Sequence, residues 1–393
     1  MSDVANLRGN WNYPTAIRFG AGRISELSQV CRDLGMTKPL LITDAGLADL
    51  PIVTDTLALM KRDGIETGLF SDIQANPVGA NVEAGVTAYK AGGHDGVVAF
   101  GGGSGLDAAK AVALMVGQTR PLFDFEDRED WYTRVDPQGM APVVAVPTTS
   151  GTGSEVGRAS VITDETDHTK KIIFHPRMMP SVVIADPELT VNLPAHITAA
   201  VGMDALSHSL EAYCSPYYHP MAQGIALESI RLIKDWLPTA VRDGKNIEAR
   251  SHMMVASSMG ATAFQKGLGA MHSLSHPCGA LLNTHHGLTI AIVMPYVLNF
   301  NRSAVEDRIT ALARYLDLPN PSFTAVLDWI LRLREEVGIP NTLTSIGVTS
   351  EHVAELSTMA ANDPSCGGNP LPLDARNLGR LYEDALSGEL RAA

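Results

Sequence analysis

The chain has 393 residues, 45% of them apolar and 19% charged, with a formal net charge of −13. That composition is globular rather than disordered, and the length exceeds what one hydrophobic core fills, so two domains are expected. The negative balance, with no long Lys/Arg run, argues against nucleic acid or an anionic membrane as partner, and without a stretch of about 18 apolar residues nothing is expected to span a bilayer.

The N-terminal stretch MSDVANLRGNWNYP lacks the charged-then-apolar pattern of a leader. Cys31, Cys214, Cys278 and Cys366 are widely spaced and form no CxxC pair. They read as free thiols in a reducing compartment, the cytoplasm. NYPTAIRFGAG reads as an early strand, either an ordinary edge strand or an intersubunit one. PLLITD (39–44) predicts a strand ending in a turn acid, and residues 49–63 have helical spacing. TGLFSD (67–72), a helix near 80–92, GVVAFGGG (96–103), a helix over 104–116, VVAVPTTS (143–150) and VVIADPEL (182–189) follow. Strands alternating with helices predict parallel βαβ units, and continuous apolar runs predict strands covered on both faces. Beyond about residue 190 the pattern turns helical, over 195–213, 221–243, 247–266, 302–316, 322–337 and 374–387. The chain is therefore expected to divide into a Rossmann-like α/β domain, 1–189, and a helical domain, 190–393.

Two loops carry chemistry in the first half. FGGGSGLDAAKAVAL follows a strand and opens a helix, so bare backbone N–H groups and a helix N-terminus would face an anion such as a pyrophosphate. Ser104 is placed as N-cap with Asp107 at N3. The dinucleotide fingerprint fits loosely: read from Gly101 it fails at Leu106, and read from Gly103 it gives GSGLDA. A tight strand-to-helix turn is the plainer alternative. PTTSGTGSE (147–155), rich in hydroxyls and glycines, could bind phosphate, ribose or nicotinamide, or be a polar surface loop. Asp44 could accept hydrogen bonds from a ribose and repel a 2′-phosphate, favouring NAD over NADP, or simply cap a turn.

Histidines mark the second half. GMDALSHSLEAY places Asp204 and His208 four apart on one helix face, His272 and His276 repeat the spacing, and His286 follows the Asn283-Thr284 break. One carboxylate and three imidazoles would hold a divalent transition ion with positions open for a substrate oxygen. Surface ion pairs and hydrogen-bonded core histidines are the competing readings. His272 and His286 are chosen as ligands beside Asp204 and His208; His276 is either a fifth ligand or a proton carrier, and His285 points elsewhere.

With these motifs placed, the chain resembles the iron-containing (group III) alcohol dehydrogenase family nearly end to end. The likeness rests on GGGS-x-x-D-x-AK, PTTSGTGSE, D-x-x-x-H at 204–208, H-x-x-x-H-P at 272–277 and HHG at 285–287. It implies a dinucleotide-binding α/β domain, a helical domain, an active site in the cleft between them, and hydride transfer between NAD(H) and a small primary alcohol or aldehyde. It also implies metal ligation of Fe2+, alternatively Zn2+, by Asp204, His208, His272 and His286, and proton transfer by His276. Cofactor contacts fall on Asp44, Asn76, Gly102, Gly103, Ser104, Thr148, Thr149, Thr152 and Lys171, and a homodimer or larger homo-oligomer is implied. QKGLGAMHSLSHP resembles the 4-hydroxybutyrate dehydrogenase branch, where Arg158 could pair with a substrate carboxylate or else within the protein. A metal-dependent cyclase or lyase on the same fold, and a non-catalytic scaffold, are the more distant readings.

Overall fold

The computed structural model describes residues 9–11, 14–167 and 169–391. They divide into two compact units: the described chain up to Thr149 with Gly153–Asn192, and Ser150–Thr152 with the chain from Leu193 onwards. The passage at Asn192–Leu193 lies just past the Asp/Pro-rich stretch that punctuates the sequence. The excursion at Ser150–Thr152 is announced by no sequence pattern.

The strands of the first unit are Gly9–Trp11 (β1), Ala16–Phe19 (β2), Leu40–Ile42 (β3), Gly68–Phe70 (β4), Val97–Gly101 (β5), Val143–Pro147 (β6), Ala159–Asp164 (β7), Thr169–Phe174 (β8) and Val182–Ala185 (β9). Among the described residues they make a seven-stranded sheet in the order β1-β2-β9-β6-β5-β3-β4 and a separate β7-β8 hairpin. β1 runs antiparallel to β2, and the rest of the sheet is parallel. β5 and β6, VVAFG and VVAVP, are buried at every position and pair from Val97↔Val143 to Gly101↔Pro147, as continuous apolar runs require. β2 lies between β1 and β9, so NYPTAIRFGAG supplies an interior strand, not an edge. Helices Leu27–Asp33 (α1), Pro51–Arg62 (α2), Gly79–Gly92 (α3) and Gly103–Met115 (α4) connect the strands. Pro51 opens α2 at a position whose N–H would be unpaired anyway, and α3 stops at Gly93 in the left-handed region (φ 62°). Leu27, Val30, Leu41, Phe100, Val146 and Ile184 belong to one buried cluster on the sheet.

β3 has β4 on one side and β5 on the other. The chain therefore leaves β3 outward to β4 and returns to β5, which opens a crevice at the carboxyl ends of β3 and β5. In open parallel sheets that switch point is where ligands bind.

The second unit is helical: Ala195–Cys214 (α5), Pro220–Arg242 (α6), Ile247–Ala263 (α7), Ala270–Leu282 (α8), His286–Phe300 (α9), Arg302–Tyr315 (α10), Phe323–Glu336 (α11), Val353–Ala361 (α12) and Ala375–Ser387 (α13). α5 is its central element. Nearly every residue from Thr198 to Cys214 is buried, and the helix packs on α6, α7 and α9. The next residue after Ser215 is Pro216, which stops the helix. Arg308 then satisfies the exposed end, donating to the carbonyls of Tyr213, Cys214 and Ser215 at 2.8–2.9 Å. The helix expected over 247–266 ends sooner, at Ala263, with a 3-10 turn over Phe264–Lys266.

Among the described residues no single helix is long and apolar enough to cross a membrane. The cysteines form no disulfide: Cys31, Cys214 and Cys278 are buried, and burial pushes their thiols up to about 12.

Candidate metal centre and nucleotide crevice

In the helical unit, α5 presents Asp204, His208 and Glu211 from one face, because positions i, i+4 and i+7 fall on the same side of a helix. All three are buried. His272 is the third residue of α8. Its Nδ1 lies 2.6 Å from Glu211 Oε2, while Glu211 Oε1 accepts the Met271 N–H at 2.7 Å. A carboxylate can only accept, so in the neutral ring Nδ1 carries the proton and Nε2 the lone pair. Asp204, His208 and His272 each offer one ligand atom, and these atoms lie within 4.8 Å of one another.

His286, the fourth expected ligand, falls outside that group of three and arrives through a helix start. α8 ends at Asn283, which adopts the left-handed conformation (φ 52°) that asparagine tolerates. His285 then caps α9, its Nδ1 accepting the Leu288 N–H at 3.3 Å. Two adjacent histidines thus have different tasks. His286, the first residue of α9, puts Nε2 at 3.6 Å from Asp204 Oδ1 and Nδ1 at 2.8 Å from Ser275 Oγ. Gly287 makes the approach of α9 to α5 possible, since a Cβ there would lie 2.5 Å from the Ala200 carbonyl oxygen.

His276 follows His272 by one turn of α8. Its ring stacks on His286 at 5.3 Å between centroids and meets His272 edge-on at 5.8 Å. Its Nδ1 lies 2.8 Å from Asp363 Oδ2, and Asp363 Oδ1 also accepts the Ser365 N–H at 2.8 Å. Burial and then the neighbouring His272 hold His208 well below the usual imidazole range. Burial works the same way on His272, but the carboxylates of Glu211, Asp204 and Asp363 together outweigh it and the net shift is upward. His272 Nε2 is buried with no hydrogen-bond partner among the described residues. Leaving a buried polar atom unpaired costs about 1–3 kcal/mol, and a divalent transition ion would satisfy this one. The donor chemistry, one carboxylate with imidazoles, fits such an ion.

In the sheet unit the glycine loop ends β5. Gly101 has φ 143°, and Gly102 is extended and serves as N-cap of α4. A Cβ on Gly102 would press within 3.2 Å of the Thr149 side chain. The helix begins at Gly103, so the expected Ser104/Asp107 capping box does not form. Ser104 lies inside the first turn and donates to the Ala75 carbonyl. Asp107 instead accepts from Ser154 Oγ and from the Val161 N–H at 2.9 Å. Buried Lys110 donates to the carbonyls of Ser154, Gly157 and Ala159. The Asp and Lys of GGGS-x-x-D-x-AK therefore anchor the segment that ends PTTSGTGSE.

Asp44 follows β3 and accepts the Gly46 N–H at 3.0 Å, and burial raises its carboxyl above the usual range. A Cβ on Gly101 would lie 3.6 Å from Asp44 Oδ2, so the acid faces the glycine loop. The Thr148 N–H donates to the Gly101 carbonyl at 2.9 Å. Asn76 Oδ1 accepts from Lys170 at 2.9 Å. Lys171 pairs with Asp164 and, at 3.0 Å, with Asp167, and lies over the Phe123 ring. Asp44, Gly102, Gly103, Ser104, Thr148 and Thr149 thus gather around the switch point, and Asn76 joins them next to Ala75. Thr152 belongs to the second unit. Arg158 is exposed and lies over the Phe174 ring at 5.7 Å.

Residues 14–187 match the family described as iron-containing alcohol dehydrogenase, and residues 198–386 match the C-terminal region of the same family. The chain belongs to the iron-containing alcohol dehydrogenase family. Over 386 residues it is 38% identical to a 4-hydroxybutyrate dehydrogenase of Cupriavidus necator, covering 95% of this chain and 99% of that protein. It is 33% identical to an NAD-dependent methanol dehydrogenase of Bacillus methanolicus, covering 96% and 100%. The structure of a sulfoacetaldehyde reductase from Bifidobacterium kashiwanohense, in complex with NAD+, superposes with a TM-score of 0.86 at 29% identity, covering 97% and 99%. The chain is an NAD-dependent, metal-containing alcohol dehydrogenase with a parallel-sheet domain followed by a helical one.

Two residues that engage the candidate histidines, Glu211 and Asp363, escaped the sequence reading. Glu211 had a legible signal, the spacing D-x-x-x-H-x-x-E on one helix face. Asp363 had none, because it reaches His276 from 87 residues away.

Proposed function

We propose that the enzyme interconverts a small primary alcohol and its aldehyde with NAD(H), using a divalent ion held by Asp204, His208, His272 and His286. The observation that carries this is the convergence of three buried ligand atoms within 4.8 Å, with His272 Nε2 turned inward. The family name favours Fe2+, and intrinsic affinity favours Zn2+ as the alternative. When bound, such an ion polarises the substrate oxygen and NAD accepts the hydride.

The chain's own residues do the rest. His276 takes the proton lost on alcohol oxidation: Asp363 engages Nδ1, which leaves Nε2 for the transfer. Gly102, Gly103 and Ser104, at the N-terminus of α4, receive the pyrophosphate. Asp44 accepts the adenosine ribose hydroxyls and repels a 2′-phosphate. Asn76, Thr148, Thr149, Thr152 and Lys171 complete the cofactor contacts, with 1–189 as the dinucleotide-binding part and 190–393 as the metal-binding part. The four cysteines without disulfides suit the cytoplasm, and the assembly is a homodimer or larger.

The test is an NADH assay on metal-reconstituted protein. His272→Ala is expected to lose bound metal and turnover together; an active, metal-replete variant refutes the assignment. A second reading, a hydroxy-acid dehydrogenase acting on 4-hydroxybutyrate, is favoured by the Cupriavidus relative. In the same assay, a kcat/KM at least tenfold higher for 4-hydroxybutyrate than for 1-butanol supports it, and equal values exclude recognition of the carboxylate.

A further inference from the structure

We propose that Glu211 is a positioning residue of the metal centre, locking His272 in its Nδ1–H form with Nε2 aimed at Asp204 and His208. This rests on the reading that His272 is a ligand. Met271 and His272 are the second and third residues of α8. Glu211 therefore binds an unpaired N–H of the helix start, at 2.7 Å, and at 2.6 Å grips the side chain which that same turn contributes. The partial positive charge at a helix N-terminus favours an anion there. An anionic acceptor makes a hydrogen bond roughly twice as strong as a neutral one. The start of α8 is also fixed from another side. Asn369 Oδ1 accepts the Ala270 N–H at 3.2 Å, and its amide exchanges hydrogen bonds of 2.8 and 2.9 Å with Asn301. Gly269 leaves the carboxylate room, since a Cβ there would lie 3.2 Å from Glu211 Oε1. Two donors thus need two acceptor oxygens. Glutamine, of nearly the same shape, has one, and would turn its own NH2 on the other donor.

The full-length chain is loaded with Zn2+ and titrated against a chromophoric chelator, and the Co2+-substituted protein is examined by visible absorption. Glu211→Gln is expected to weaken Zn2+ binding about 10- to 100-fold and to shift the Co2+ bands, with an unchanged far-UV circular dichroism spectrum. A folded Glu211→Gln with wild-type affinity and wild-type Co2+ bands overturns the proposal. Should that variant not fold, Glu211→Asp, whose shorter side chain cannot span both donors, is read the same way: weakened binding upholds the role and wild-type affinity overturns it. His272→Ala separates the two levels. If it binds Zn2+ as tightly as wild type, the ligand assignment fails; if it loses the ion while Glu211→Gln retains it, only the role of Glu211 falls.

Discussion

Asp44 has one carboxylate oxygen on the Gly46 N–H and the other turned toward Gly101, beside the loop proposed to receive the pyrophosphate. A second anion brought to this place meets a charge that burial has already made costly. Asp44→Gly is therefore expected to shift the ratio of kcat/KM for NADP over NAD upward by tenfold or more, a change of about 1.4 kcal/mol per factor of ten. An unmoved ratio, measured with one alcohol and both cofactors, removes Asp44 from cofactor choice. This residue was legible because an acid closing a strand is a local pattern. Ser104 and Asp107 misled for an equally local reason: three consecutive glycines offer several places to start a helix, and the chain starts it one residue before Ser104. The shared face of Asp204 and His208 on α5, the residues proposed as ligands there, was legible from helical spacing. The contact of Asp363 with His276 of α8 was not, because nothing near Asp363 in the chain points to His276.

α9 begins where it does because Asn283 ends α8 and His285 caps the next helix. Gly287 then lets that helix lie against α5. The clash partner of an added Cβ is the Ala200 backbone oxygen, at 2.5 Å, which cannot swing aside as a side chain would. Gly287→Ala is expected to displace α9, cost about 1–3 kcal/mol of stability, and weaken Zn2+ binding at least tenfold by moving His286. Denaturant unfolding of the apo protein and chelator competition read the two effects, and wild-type values in both would remove Gly287 from the placement of His286. The long amphipathic helices appear within a residue or two of their predicted bounds, except α7, which ends at Ala263 rather than at 266. α8 and α9 were not marked out because Pro277 and Pro295 sit inside them, and an internal proline removes a helical hydrogen bond and reads as a stop. The β7-β8 hairpin was also missed: the stretch TDETDHTKK (163–171), which spans the end of β7, the turn and the start of β8, is dense in charge and masks the strand pattern.

For the molecule as a whole, an ion that binds only the folded chain adds RT ln(1 + [M]/Kd) to stability, about 2.7 kcal/mol at 100 Kd. A helical unit of roughly 200 residues loses about 2–4 °C for each kcal/mol. Stripping the metal with a chelator is therefore expected to lower Tm by about 5–10 °C, recovered on adding Zn2+ or Fe2+; superposable melting curves would mean that the proposed ligands do not hold an ion in the folded state. Composition and length led to the expectation of two domains, and the described residues form two compact units. Composition was silent on Ser150–Thr152, whose allegiance depends on Gly151 packing against Val201 and accepting from Ser257. The buried cysteines have a practical bearing. Only a thiolate reacts readily with an alkylating reagent, and Cys31, Cys214 and Cys278 are both enclosed and held protonated at neutral pH. Cys31 lies in the sheet unit and the other two in the helical unit, so maleimide labelling followed by peptide mapping would time the transient opening of each half separately, with reporters the chain already contains.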